Sequence, residues 1–322
     1  MSMEKTEKKR SLKQILTNGN IGSVLFALIG LCILWSILTP YFFTWSNFKN
    51  LAIYSSYTGI MACGLSMVLL TGSIDLSQMP LMALCGMMMA VSFRMGVSGI
   101  GLFAVAILTG TLCGVINAVI VNVLNIIPFV ATLGTQLIFR ACSFLLTDGV
   151  YVTIKDSMIR TIGYGEWLGL PIMLYIMAVV FVISWFILKY TQYGRNLYSC
   201  GSSAQAAHLS GINVKKTKIL AFISSGICCG VAGVVYTAQT GVALNNAGTG
   251  AEMDVMAAVI IGGMSMAGGQ GNIINTLLGV ILMSVVANGM GLLGLNPYFQ
   301  MLFKGIILIG AIFIDTLRHR SE

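Results

Sequence analysis

Residues 189–218 read KYTQYGRNLYSCGSSAQAAHLSGINVKKTK. What flanks this stretch decides the fold. Its charges, Lys189, Arg195, Lys215, Lys216 and Lys218, are all positive. The segments on either side, 168–188 and 218–240, are almost wholly apolar. Each is long enough to cross a bilayer core of roughly 30 Å as a helix. A basic segment between two apolar spans is what the enrichment of Lys and Arg in cytoplasmic loops produces. The stretch reads as a cytoplasmic loop of a polytopic membrane protein.

Composition agrees. Of 322 residues, 57% are hydrophobic and 9% charged, against roughly 25% charged in a soluble domain. The mean hydropathy is +0.90. An ordinary soluble enzyme is excluded. The 37 glycines follow no G-X-Y period, so collagen is excluded too. A net charge of +8 does not imply a nucleic-acid partner, because the positive residues stand beside apolar spans.

Ten candidate spans follow: 21–38, 51–71, 79–95, 100–122, 128–146, 168–188, 218–240, 253–264, 273–293 and 298–314. The third and eighth are short, and the eighth suits a tilted, broken or re-entrant segment. The N-terminal tail, the 189–218 loop and the C-terminal tail hold 12 of the 18 Lys and Arg residues, which places them in the cytoplasm. The 147–166 segment carries Asp148, Lys155, Asp156, Arg160 and Glu166 and is placed outside. Ten spans in a 1+4+1+4 order meet every constraint. Eight remain an alternative if crossings are lost from the groups of four. After the first apolar run comes Thr39-Pro40-Tyr41-Phe42-Phe43, which is no cleavage site, so the first span reads as retained. The expected class is an all-α polytopic membrane protein: two inverted four-helix halves plus two further spans. Residues 1–20 form a basic cytoplasmic tail, 21–314 one transmembrane domain with the 190–217 loop, and 315–322 a second cytoplasmic tail.

Much chemistry is missing from the sequence. There is no G-x-x-x-x-G-K-[ST], so no P-loop for ATP. There is no H-E-x-x-H, and His208 and His319 are the sole histidines. No catalytic residue and no metal site is expected. Gly263-Met-Ser265-Met-Ala267 lacks the second glycine of a nucleophile elbow. Seven cysteines lie in apolar runs, Cys200 alone in a polar loop, and no C-x-x-C occurs. The 20 methionines suit bundle packing. Arg140 and Lys304 are the charges firmly inside predicted spans; each is a functional candidate or a snorkelling side chain.

Three features point to function. Within the basic loop, 201–211 reads as a short helix. Ser202 stands at the cap, Gln205 at the capping-box position and Gly211 at the end. It is either a solvated connector or a docking helix for a cytoplasmic partner. Glycine-rich stretches at 72–78, 241–254 and 262–272 read as breaks lining a path or as tight turns. Gly110/Gly114 and Gly226/Gly230 read as close-packing devices.

Several stretches, in order, carry a resemblance: LTGSIDLS at 70–77, PFVATLG at 128–134, GRNLYSCG at 194–201, LSGINV at 209–214, DVMAAVIIGG at 254–263 and AGGQGN at 267–272. The chain resembles, over nearly its whole length, the permease of bacterial ABC importers of the ribose/xylose/galactose class. The resemblance implies a subunit that passes a sugar delivered by a periplasmic or lipoprotein binding protein. It implies a second permease, identical or related, and a cytoplasmic tandem-cassette ATPase that binds ATP in its stead; the spans are then expected in the bacterial inner membrane, with both basic tails in the cytoplasm. The docking helix would then be a coupling helix: Ser202, Ser203, Ala204, Gln205, Ala206, Ala207, His208, Leu209, Ser210 and Gly211. One departure is Gln78-Met79-Pro80, where the family usually has Val-Gly-Ser or similar. Asp75, Gln78, Glu252 and Asp254 are the polar candidates for path or gate; Asp75, Glu252 and Asp254 also suit helix starts. An ion-coupled secondary transporter of a small neutral solute is the rival reading.

Overall fold

The computed structural model describes residues 21–320; the tail at 1–20 and residues 321–322 lie outside the described residues. Thirteen helices occur among the described residues. The first seven are α1 Ile21–Leu38, α2 Trp45–Leu70, α3 Gln78–Arg94, α4 Ile100–Asn122, α5 Pro128–Leu145, α6 Ser157–Tyr164 and α7 Ile172–Tyr190. The rest are α8 Gln192–Ser202, α9 Ala204–Leu209, α10 Val214–Thr240, α11 Asp254–Ile261, α12 Ile273–Leu292 and α13 Pro297–Arg320. Six of them, α2, α4, α5, α7, α10 and α12, are long and apolar enough to cross a membrane; shorter apolar helices cover Val24–Leu38 and Pro297–Gly310. The predicted spans coincide with helices, and most ends agree within four residues. α13 runs on to Arg320, so 315–320 continues the helix.

Two long helices form the centre. α2 has 26 residues, and the Thr44 hydroxyl accepts the Asn47 N–H to start it. α10 has 27, starts on the Asn213 side chain accepting the Lys216 N–H, and ends at Gly241 with φ +68°, a left-handed cap that suits glycine. From Ser55 to Leu70 every residue of α2 is buried. α10 lies against α4 through the glycines singled out above. A Cβ on Gly110 would collide with the Gly226 carbonyl, and one on Gly226 with the Gly110 carbonyl. Lipid is as apolar as leucine, so such crossings are stabilised by close backbone approach and not by apolar burial. The outer helices expose Leu108, Leu112, Leu137 and Val182, as lipid-facing helices do.

Two segments break the helical pattern inside the bundle. Between α2 and α3, residues 71–77 are non-helical; between α11 and α12, so are residues 262–272. α11 has only eight residues, or about 12 Å of rise. Several backbone groups in these breaks find partners within the break or just beside it. The Met264 N–H donates to Val259 O at 3.2 Å and the Ser265 N–H to Gln270 O at 3.1 Å. Buried non-helical backbone in a membrane protein requires such partners.

The expected 147–166 loop carries secondary structure of its own, and the fold is mostly helical. Strand β1, Val152–Thr153, pairs antiparallel with β4, Val242–Ala243, with Val152 opposite Ala243. β2, Glu166–Trp167, pairs with β3, Leu170–Pro171. α6 starts on Asp156, whose carboxylate accepts the Met158 and Ile159 N–H groups. It packs so closely on α10 that a Cβ on Gly163 would meet the Ala238 carbonyl. All eight cysteines are free thiols, and Cys200 is buried despite its polar surroundings in sequence.

Candidate functional site: two buried helix breaks between an exposed helix and an amide-lined cavity

At the end of the bundle carrying the basic loop, two short helices replace the single expected one. Ser202 ends α8 and donates its hydroxyl to Tyr198 O at 3.0 Å. The cap of α9 is therefore Ser203, whose Oγ accepts the Ala206 N–H at 3.2 Å. Ser203 has the extended backbone (φ −161°, ψ 107°) that a cap needs; Ser202 is still helical. The expected end holds. Gly211 has φ +83°, its N–H donates to His208 O, and the Ile212 N–H donates to Ala207 O, both at 3.0 Å. These paired bonds make a Schellman end. On α9, Ala204, Gln205, Ala206 and His208 are exposed. Leu209 is 82% exposed, and Ala207 is 4% exposed and turns inward.

α8 ties this end to both breaks. The Gly269 N–H donates to Leu70 O at 3.0 Å, and the Tyr198 hydroxyl to Gly271 O at 3.1 Å. Gly72, Gly201, Gly268 and Gly269 meet here. A Cβ on Gly201 would overlap Leu70 O and Gly269 N, and one on Gly268 would lie 2.7 Å from Gly72 N and 3.1 Å from Gly201 Cα. Gly72, Gly268 and Gly269 also have positive φ.

The first break ends in a buried polar cluster. Asp75 Oδ1 accepts the Ser77 N–H at 3.0 Å and its hydroxyl at 2.6 Å. Asp75 Oδ2 accepts the Ser225 hydroxyl of α10 at 2.8 Å. Asn117 of α4 donates to Ser77 Oγ at 2.8 Å. Gln78, the first residue of α3, donates to Ser225 Oγ at 2.9 Å and Met61 O at 3.2 Å. Met61 stands nine residues before the end of α2, about 13 Å up that helix, so the cluster lies within the bundle. Asp75 thus receives the N–H and hydroxyl of Ser77, the residue just before α3, and ties that corner to Ser225 of α10. Gln78 Oε1 and Asn117 Oδ1 are buried without a partner.

Glu252 and Asp254 stand apart from that pair, at the end of the bundle opposite α9. Lys304 of α13 lies 2.5 Å from Asp254 Oδ2. Tyr54 of α2 reaches the same oxygen at 3.5 Å. Arg140 of α5 lies 3.6 Å from Glu252 and donates from Nη1 to Asn245 O at 3.2 Å and Ala247 O at 2.7 Å. The two charges found inside predicted spans are the partners of the two acids singled out in the 241–254 break. Beside Tyr54, the rings of Tyr57 and Tyr236 pack edge-on at 5.2 Å.

Sequence reasoning missed one element. A cavity of about 460 Å³ opens at this same end, lined on its polar side by Asn50, Tyr54, Gln239, Asn288 and Gln300. A census of charges passes over uncharged carboxamides. Their signal in sequence is position: Asn50, Gln239 and Gln300 all stand within about two turns of a helix end.

Backbone breaks buried in a bundle of membrane-length helices, with an exposed helix tied to those breaks at one end, make a membrane transport component rather than an enzyme. Residues 47–312 match the family described as branched-chain amino acid transport system / permease component, and the chain belongs to that family. It is similar to the ribose import permease protein of Escherichia coli (strain K12), at 37% identity over 91% of this chain and 92% of that one. The ribose import permease protein of Haemophilus influenzae is 35% identical over 95% of this chain and 98% of its own. The L-arabinose transport system permease protein of Escherichia coli (strain K12) is 33% identical over 93% and 90%. No solved structure matches the chain.

Proposed function

We propose that this chain is the membrane-spanning permease of an ATP-driven importer that passes a pentose, hexose or related small polyol. The observation that carries the proposal is α9: an exposed helix with Leu209 at its tip, joined through Gly201 to both central breaks. Family membership and the sugar permeases among its relatives support the cargo.

In this reading the chain makes ten crossings of a bacterial inner membrane. α3 and the broken α11 segment count among them, and both termini and α9 face the cytoplasm. The long helices α2 and α10 are counterparts in two inverted halves. Each is followed by a short or broken crossing with an acid at its start, Asp75 in one half and Asp254 in the other. α9 docks on a tandem-cassette ATPase, which alone binds ATP. A second permease, a copy or a related chain, completes the pore, and an extracytoplasmic binding protein delivers the sugar. ATP drives switching because it binds the two arrangements with different affinity. The shift at α9 reaches residues 71–77 and 262–272 through the glycine junction. Asp75 and Gln78 line or gate the inner part of the path, and Glu252 and Asp254 its outer part.

Two variants test this, with the complex reconstituted in vesicles. Leu209→Asp and Ala206→Arg lose sugar uptake and ATPase association while the chain still inserts. Ala207 is not a fair probe, since its side chain is buried. Uptake at the wild-type rate by both variants overturns the assignment. Uptake that persists without the ATPase and collapses with an ionophore makes the chain an ion-coupled carrier instead.

A further inference from the structure

The cavity opposite α9 is built from four helices: Asn50 and Tyr54 come from α2, Gln239 from α10, Asn288 from α12 and Gln300 from α13. Its remaining lining, Ile53 and Ala287, is apolar. At about 460 Å³ it falls in the range of small-molecule sites, roughly 300–1,000 Å³. Its polar groups are four carboxamides and one phenol. A carboxamide carries two N–H donors and an acceptor oxygen; Gln300 spends one N–H on Leu295 O at 3.0 Å and Asn288 is paired with Asn47, and the capacity that remains matches the mixed donor and acceptor hydroxyls of a polyol. Gln239 Oε1 is buried and without a partner, an acceptor held ready for a donor the protein does not supply. Asn288 is positioned by a reciprocal pair with Asn47, at 2.8 and 3.0 Å.

The lining contains no charge. Asp254, which Tyr54 reaches at 3.5 Å, is already matched by Lys304 at 2.5 Å. A zwitterionic amino acid entering here would shed water from an ammonium and a carboxylate with no counter-charge in the lining, a large penalty. A neutral sugar would not. Family membership alone leaves both cargo classes open, because the family's description names branched-chain amino acids and the relatives name sugars.

We infer that this cavity is a cargo site of the permease itself, which accepts a neutral polyhydroxyl solute through Asn50, Tyr54, Gln239, Asn288 and Gln300 and rejects zwitterionic amino acids. The inference rests on the permease reading above. Tyr54 packs edge-on against Tyr57, and Tyr57 against Tyr236, with ring centroids 5.5 and 5.2 Å apart, which fixes the phenol in the lining.

The test uses the full chain in lipid nanodiscs, without binding protein or ATPase, and saturation-transfer NMR with D-ribose and L-leucine as probes. Ribose is expected to bind weakly and leucine not at all. Gln239→Leu and Asn50→Leu, with melting temperatures near wild type, are expected to weaken ribose binding about 2- to 10-fold each, the worth of one hydrogen bond. Asn50 is exposed, so its variant keeps the test alive if Gln239→Leu fails to fold. No ribose signal, leucine binding as strong as ribose, or unchanged affinity in a folded variant each overturns the site. Uptake by the reconstituted importer separates this from failure of the permease reading. Wild-type sugar uptake by Gln239→Leu and Asn50→Leu sinks the site alone, whereas leucine uptake without sugar uptake by the wild type sinks the cargo class.

Discussion

Gly269 donates its backbone N–H to the Leu70 carbonyl at 3.0 Å, and that one bond joins the start of the first break to the second. Gly201 lies against both residues with no room for a methyl group. Gly201→Ala and Gly269→Ala are therefore expected to lower stability by about 1–3 kcal/mol, the usual cost of overpacking. Uptake should fall further than stability alone explains. Gly134→Ala is the control: it sits within α5, where a new Cβ meets nothing within 4 Å, and is expected to be neutral or slightly stabilising. Thermal melting beside uptake in vesicles checks all three.

The Lys304–Asp254 pair is short and half-buried or better on both sides. Removing one partner of a buried pair leaves a charge uncompensated and costs about 3–5 kcal/mol. Lys304→Met should therefore destabilise strongly. The double change Lys304→Met with Asp254→Asn should recover much of the loss. A double-mutant cycle by chemical denaturation measures the coupling, and additive single effects would contradict it.

Ser203, and not Ser202, caps α9. Ser203→Ala should cost the short helix about 0.5–2 kcal/mol, and Ser202→Ala much less. Hydrogen exchange at the Ala206 N–H, the group Ser203 holds, reads this directly. Faster exchange is expected in the first variant alone.

Asp156 lies in the segment between spans. Burial raises its carboxyl affinity for protons, but the N–H groups of Gly99, Ile159 and Met158 together outweigh it and hold the pKa below the ordinary value. A depressed folded pKa means a stabilising contribution fully present above the unfolded value of about 3.9 and lost as pH falls through the folded one. Protease resistance of residues 147–166 should hold at neutral pH and drop only in strong acid. Asp156→Asn should show lowered resistance already at pH 7.

The long helices were legible because each is an apolar run of membrane length, and the first and fourth spans begin and end where α1 and α4 do. The breaks were legible through their glycines. The ion pairs were not. Arg140 and Glu252 are 112 positions apart and Lys304 and Asp254 50, and no local pattern links them. β1 and β4 escaped because two-residue strands carry no alternation. The cap of α9 was misplaced by one residue because adjacent serines satisfy the same pattern, and only the backbone angles of Ser203 separate them.

The buried thiols have a practical consequence. Six of the eight cysteines are buried and the other two, Cys32 and Cys142, are only partly exposed, on apolar helices. A water-soluble maleimide would find almost nothing to alkylate on the folded chain. A single cysteine introduced at Gln192 or at Thr161, both exposed and outside α9 and the cavity lining, becomes the one reactive handle at its end of the molecule. Fluorescent labels could then report the two faces separately during turnover, with no need for a cysteine-free background.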